Sequence, residues 1–310
     1  MPEEEIPTAI YLTSQALLES TPYPTQPQDN SPTSNPAGPE ITPDPAKSTE
    51  SADQTPLTQE PPTPILVTPS LTATYALEDL SPGSLPDSLP YGTIQILNPG
   101  SLSKIISPIR LHAYLHPGTD GKVRVILYGE DGRVLVQRII RYDAPPKTKV
   151  YLKLDLRFEI PGVAETGRLA ITTRDEYGRV IALASTDVIL LTKGDTDINP
   201  PTDLYEKIVI EEPLPDILIQ GGKIIVKGYT RCVESDRLYV ELVNYQGDVV
   251  GSEFVGISEK ELGLGYHFYA GEVPYEVGSS GTWVRVQISA LDDDLSGVLH
   301  TSSVRVLITP

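Results

Sequence analysis

The sequence predicts an all-β molecule: two tandem immunoglobulin-like antiparallel β-sandwiches preceded by a long disordered Pro/Ser/Thr-rich tail. Three observations predict it. From residue 91 onward apolar and polar side chains alternate, glycine-centred turns separate the alternating runs, and the whole pattern occurs twice at a near-constant offset.

The tail is marked by composition. Of the 30 prolines, 18 precede residue 91, with abundant Ser and Thr and only three aromatics, Tyr11, Tyr23 and Tyr75. Such a stretch buries too little apolar surface to offset the entropy of ordering its backbone, so residues 1–90 are expected to form a disordered acidic tether. Within it, Ile10, Leu17 and Leu18 behind a capping Thr8 allow a short helix over 8–20. Helices of that length are marginal in water, which leaves a docking peptide or a solvated spacer as readings. Ile65-Leu66-Val67 and residues 75–80 are expected to add a strand or turn against the first domain.

The strands follow from a period of two. Over residues 149–158, Val150, Leu152, Leu154, Leu156 and Phe158 alternate with Lys149, Tyr151, Lys153, Asp155 and Arg157. That spacing puts one set in a core and the other in water. The same alternation runs through Leu111, Ala113 and Leu115, through Val123, Val125 and Leu127, through Leu238, Val240 and Leu242, and through Val284, Val286 and Ile288. Glu130-Asp131-Gly132-Arg133, Glu176-Tyr177-Gly178-Arg179 and Gln246-Gly247-Asp248 fall between runs, where glycine supplies the positive φ of a tight hairpin. Around seven strands fit each segment of about 100 residues, the dimensions of an immunoglobulin-like sandwich.

The segments repeat each other. Ile94-Gln95-Ile96 with Pro99 matches Ile208-Val209-Ile210 with Pro213, Gly132 matches Gly247, and Gly167 matches Gly281. Both copies close alike, with Val188-Ile189-Leu190-Leu191-Thr192 against Val304 to Thr309. Ordered anchors at one offset indicate duplication of a single unit. The expected organisation is therefore tail 1–90, first sandwich 91–193, linker 194–205 and second sandwich 206–310.

Charge is uneven along the chain. The net −18 divides into −12 over residues 1–90, +5 over 91–193 and −11 over 194–310. Nucleic acid is a poor partner for such a molecule, because tail and second domain repel phosphate. No apolar run reaches the roughly 20 residues that cross a bilayer as a helix. One cysteine, Cys232, rules out an internal disulfide and reads as a small buried side chain near a strand end. The four histidines are scattered; His112 and His116 on one strand stand about 13 Å apart, too far to share a metal. Nucleophile elbow, phosphate loop and zinc-helix motifs are all missing from the sequence, so catalysis is not expected.

Two candidate sites remain. In the linker, Asp195, Asp197, Asn199, Asp203 and Glu206 occupy the oxygen spacing of a calcium loop, but Pro200 stands where such a loop needs glycine. No cofactor is expected; the linker reads first as a Pro-Pro hinge with solvating acids, and the alternative is a calcium-stiffened junction. Asp292-Asp293-Asp294 reads as a turn first and a cation cluster second. On the first domain, Lys149, Lys153 and Arg157 share an outward face and Arg124, Arg133, Arg138 and Arg141 fall in neighbouring strands. These predict a basic face for an anionic partner: lipid headgroups, a wall polymer, the second domain of another copy or the chain's own tail.

Two resemblances carry further expectations. Ile94 to Gly100, then Ile106-Ser107-Pro108-Ile109-Arg110-Leu111 and Asp131-Gly132-Arg133-Val134-Leu135, resemble the immunoglobulin-like domain of bacterial spore germination proteins. The second copy departs from that pattern, with Gly221-Gly222 in place of Ser107-Pro108. The opening Met1 to Tyr11 resembles the region after the lipidated cysteine of bacterial surface lipoproteins. Together these imply an extracellular or cell-surface protein, tethered to a membrane through a lipid anchor removed from this chain. Its expected role is non-catalytic: to bind a protein or cell-envelope polymer, or to act as a spacer. The alternative is a structural subunit that self-associates head to tail into a filament or layer, basic domain to acidic domain.

Overall fold

A computed structural model describes residues 85–143, 148–201, 204–234, 236–278, 280–292, 295 and 297–310. The expected helix at 8–20 and the segments at 65–67 and 75–80 lie outside these residues. The described chain is all-β, with sixteen strands arranged as two immunoglobulin-like sandwiches.

In the first sandwich, β1 (Ile94–Asn98), β3 (Ile109–Leu115) and β6 (Val150–Leu156) form one sheet in the order β1-β3-β6. The other sheet contains β5 (Val134–Arg141), β4 (Lys122–Tyr128), β7 (Ala164–Arg174) and β8 (Val180–Leu191), with short β2 (Ser103–Ile106) parallel to β8. The second sandwich repeats this plan. Here β9 (Ile208–Glu212), β11 (Lys223–Thr230) and β14 (Tyr266–Pro274) face β12 (Arg237–Asn244), β15 (Thr282–Asp292) and β16 (Gly297–Ile308), and two-residue β10 (Leu218–Ile219) runs parallel to β16. One strand differs. The 15-residue β13 (Val249–Gly263) pairs with β12 first and β14 afterwards, crossing from one sheet to the other.

The alternation becomes burial. Leu111, Ala113, Leu115, Val123, Val125 and Leu127 are wholly buried in the first core, and Leu238, Val240, Leu242, Val284, Val286 and Ile288 in the second. The turn glycines take φ of +77° (Gly132), +84° (Gly178) and +92° (Gly247), values L side chains rarely adopt. In two of these hairpins an acceptor one turn earlier fixes the bend: Asp175 Oδ1 accepts from the Arg179 amide at 2.9 Å, and Asn244 Oδ1 from the Asp248 amide at 2.9 Å. Eight strands per copy were found where about seven were expected. The pairings of β2 and β10 span four and two residues, too short to leave a period in the sequence.

The sandwiches have separate cores but share hydrogen bonds. Strand β8 pairs antiparallel with β16 through Ala182, Leu183 and Ala184 against Ser302, Thr301 and His300. Each sandwich also lays a hairpin on the other. The β7–β8 turn brings Asp175 to Arg285 of β15 at 3.0 Å, and Arg179 Nη1 donates to the Trp283 and Val243 carbonyls at 3.3 and 3.4 Å. Reciprocally, Arg168 of β7 bonds Asp292 and the Leu295 carbonyl at the β15–β16 turn. Ser303 Oγ donates to the Ile181 carbonyl at 2.7 Å, and Ser185 Oγ to that of Leu299 at 2.9 Å. Arg168, Ala170, Thr172, Gln287, Ser289 and Thr301 all point away from their own cores, yet each is buried. Residues 85–89 cover a third surface: Leu85 and Leu89 pack on Tyr229, Tyr266 and Phe268 of the second sandwich.

Candidate functional site

The junction between the sandwiches concentrates the polar chemistry of the described chain. Asp175, with its side chain 2 % exposed, sits between Arg179 at 2.8 Å and Arg285 at 3.0 Å. Burial works against its ionisation, but the hydrogen bonds from Arg179 and Arg285 outweigh it and hold the carboxyl below the usual range. Arg168 is held by Asp187 at 2.8 Å and by Asp292. Arginine–carboxylate networks buried between two sandwiches suit a structural tie.

The linker is fastened rather than free. Lys104 and Asp197 exchange backbone hydrogen bonds, both 2.8 Å, and the Asn199 amide N–H donates to Ser103 Oγ at 3.0 Å. Gly100 lets this segment close in, because a Cβ there would stand 2.0 Å from the Pro200 carbonyl oxygen. The Tyr91 and Tyr205 rings stack at 5.2 Å.

The predicted calcium residues are divided by these contacts. Asn199 Nδ2 donates to the Ser101 carbonyl at 2.7 Å. The Glu206 carboxylate accepts from the Thr93 amide at 3.0 Å and from the Ser302 hydroxyl at 2.9 Å, bridging both sandwiches. Asp195 and Asp197 are exposed, and Asp203 lies outside the described residues. Among the described residues no three His, Cys, Asp or Glu side chains gather as a metal group would require.

The predicted basic face is likewise divided. Lys149, Lys153 and Arg157 belong to the β1-β3-β6 side, whereas Arg124, Arg138 and Arg141 stand on β4 and β5 of the opposite sheet. Arg124 is paired with Asp120 at 2.7 Å, and Arg133 with Glu165 at 2.6 Å. On the first side Lys149 Nζ donates to Gln95 Oε1 at 3.0 Å and lies 4.9 Å over the Tyr114 ring. Sequence reasoning missed Arg168, Asp175, Arg179 and Arg285, since a lone charge at an outward strand position carries the same signal whether water or a neighbouring domain lies beyond it.

Burial pushes the Cys232 thiol up to about 12, so it is a packing group. His300, at the β8–β16 pairing, has a buried Nε2 with no hydrogen-bond partner. Burial, then the Lys207 charge, carry its pKa well below the ordinary histidine value, against a hydrogen bond to the backbone at Leu183. An open cleft of about 370 Å³ on this side of the junction is lined by Pro90, Glu206, Ile208, Pro213 and Ser302 among others.

No family model matches the chain, and no curated protein matches it. Among solved structures it is similar to a chimeric titin Z1Z2-Z1Z2 tandem, at 15 % identity over 70 % of this chain and 100 % of that one, with a TM-score of 0.21. It is similar also to the N-terminal Ig1-2 module of the Drosophila receptor protein tyrosine phosphatase DLAR, at 10 % identity over 70 % and 99 %, TM-score 0.18. A third, the CFA/I enterotoxigenic E. coli adhesin CfaE, matches at 6 % identity over 73 % and 89 %, TM-score 0.19. The immunoglobulin-like assignment stands on the strand order and pairing described above.

Proposed function

We propose that this chain is a non-catalytic cell-surface binding or spacer protein, in which two immunoglobulin-like sandwiches act as one stiff unit carried on the proline-rich N-terminal tether. The observation that carries this reading is the β8–β16 pairing, flanked by the Asp175 and Arg168 networks. Two sandwiches that share strand pairing and two buried ion networks resist bending where a solvated linker would permit it. Buried arginine–carboxylate networks and a deeply buried thiol favour presentation of surfaces over chemistry. Placement outside the cell, through an upstream lipid anchor, rests on the resemblance of the opening residues; a signal segment and cysteine encoded upstream would support it. The partner class remains a protein or an envelope polymer.

Small-angle scattering tests the stiffness. The expected profile of residues 85–310 fits one fixed arrangement, and a double variant Arg168→Glu, Arg179→Glu broadens it toward an ensemble. A wild-type profile that already requires many interdomain angles would reject the reading.

A further inference from the structure

Four sheet faces point away from the two cores. Two cover each other at the junction, and Leu85 and Leu89 cover the third. Among the described residues none is packed on the face of β1-β3-β6, and this face differs from the rest of this acidic chain. Tyr114 and Tyr151 stand side by side on it, 40 % and 47 % exposed, with ring centroids 5.1 Å apart. His112 lies against Tyr151 at 5.9 Å. Arg110, Lys153 and Arg157 surround them, exposed and without an ion pair among the described residues, against the single strand carboxylate Asp155.

We infer that this face binds an anionic polysaccharide. Exposed tyrosine rings offer flat apolar platforms for sugar C–H faces and hydroxyls for sugar oxygens. The free Arg and Lys groups offer partners for carboxylate or sulfate groups along the polymer. An exposed sheet face suits an extended chain lying across it. The inference rests on the reading of this chain as a binding protein and names the class of ligand.

Affinity electrophoresis in gels cast with polygalacturonate, neutral dextran or single-stranded DNA tests it on the full chain. Polygalacturonate is expected to retard the protein, less so as salt is added. Tyr114→Ala with Tyr151→Ala should weaken retardation about tenfold, and Lys153→Glu should weaken it too, with melting temperatures unchanged. No retardation by polygalacturonate, equal retardation by dextran, stronger retardation by DNA, or full binding by the double tyrosine variant would each overturn the inference. Scattering reads stiffness alone, so failure here and failure of the stiff-unit reading are distinguishable. Where a variant fails to fold, Tyr114→Phe with Tyr151→Phe keeps the rings and should keep most of the retardation; its loss would likewise count against stacking.

Discussion

Asp175 concentrates the energetics of the junction in one side chain. It takes two arginines, one from each sandwich, in a site closed to water. Removing one partner of a buried pair costs about 3–5 kcal/mol, because the survivor keeps an uncompensated charge. Asp175→Ala, which leaves the Arg179 and Arg285 guanidiniums together without their carboxylate, is therefore expected to lower the urea midpoint strongly, whereas Asp131→Ala, at an exposed pair, leaves it unchanged. His300 gives the junction a pH dependence. Its folded-state pKa is depressed, so the unfolded chain takes up the proton first as pH falls. Stability is then full above about pH 6.5 and is lost below it, until the folded-state value is reached. The melting temperature should drop between about pH 7.5 and 5.5, and His300→Gln should flatten the drop. His116, lowered by burial and by Lys149, acts with the same sign and is the control. An unchanged slope in His300→Gln would assign the effect elsewhere.

At the scale of elements, period two made the long strands legible. Each inward residue named from the alternation in β3, β4, β12 and β15 is wholly buried. The three glycine turns were legible for the same reason: only a residue without Cβ takes those φ values cheaply. The linker was not legible. A Pro-Pro pair flanked by acids has the composition of a hinge, yet Lys104 and Ser103 hold it along β2. Nothing in the composition records that β2 offers a free edge to this segment, or that Gly100 leaves room for Pro200. Gly100→Ala is expected to lift the segment from β2, seen as faster amide exchange at Lys104 and Asp197, with the two cores still protected. Calcium is expected to change neither this exchange nor the melting temperature, since Glu206 is engaged with Thr93 and Ser302; a saturable heat in titration calorimetry would support the calcium reading instead.

For the whole molecule, regional charge pointed to attraction between a basic and an acidic domain, and the structure realises part of it within a single chain. Arg168 of the first sandwich pairs with Asp292 of the second, although Asp175 of the first takes Arg285 of the second in the opposite sense. Loosening that contact should split the thermal transition: Arg168→Glu with Arg179→Glu is expected to melt in two steps by calorimetry, against one for the wild type. The sequence by itself determined the all-β class, the duplication, the inward faces and the hairpins, because these depend on residues within a few positions of one another. Only the tertiary structure decided that one sandwich covers the other, that Glu206 bridges both, and that Tyr114 and Tyr151 stand side by side at the surface of the described residues. An outward side chain has the same identity whether it meets water or another domain, and which it meets is fixed by contacts more than a hundred residues apart in sequence.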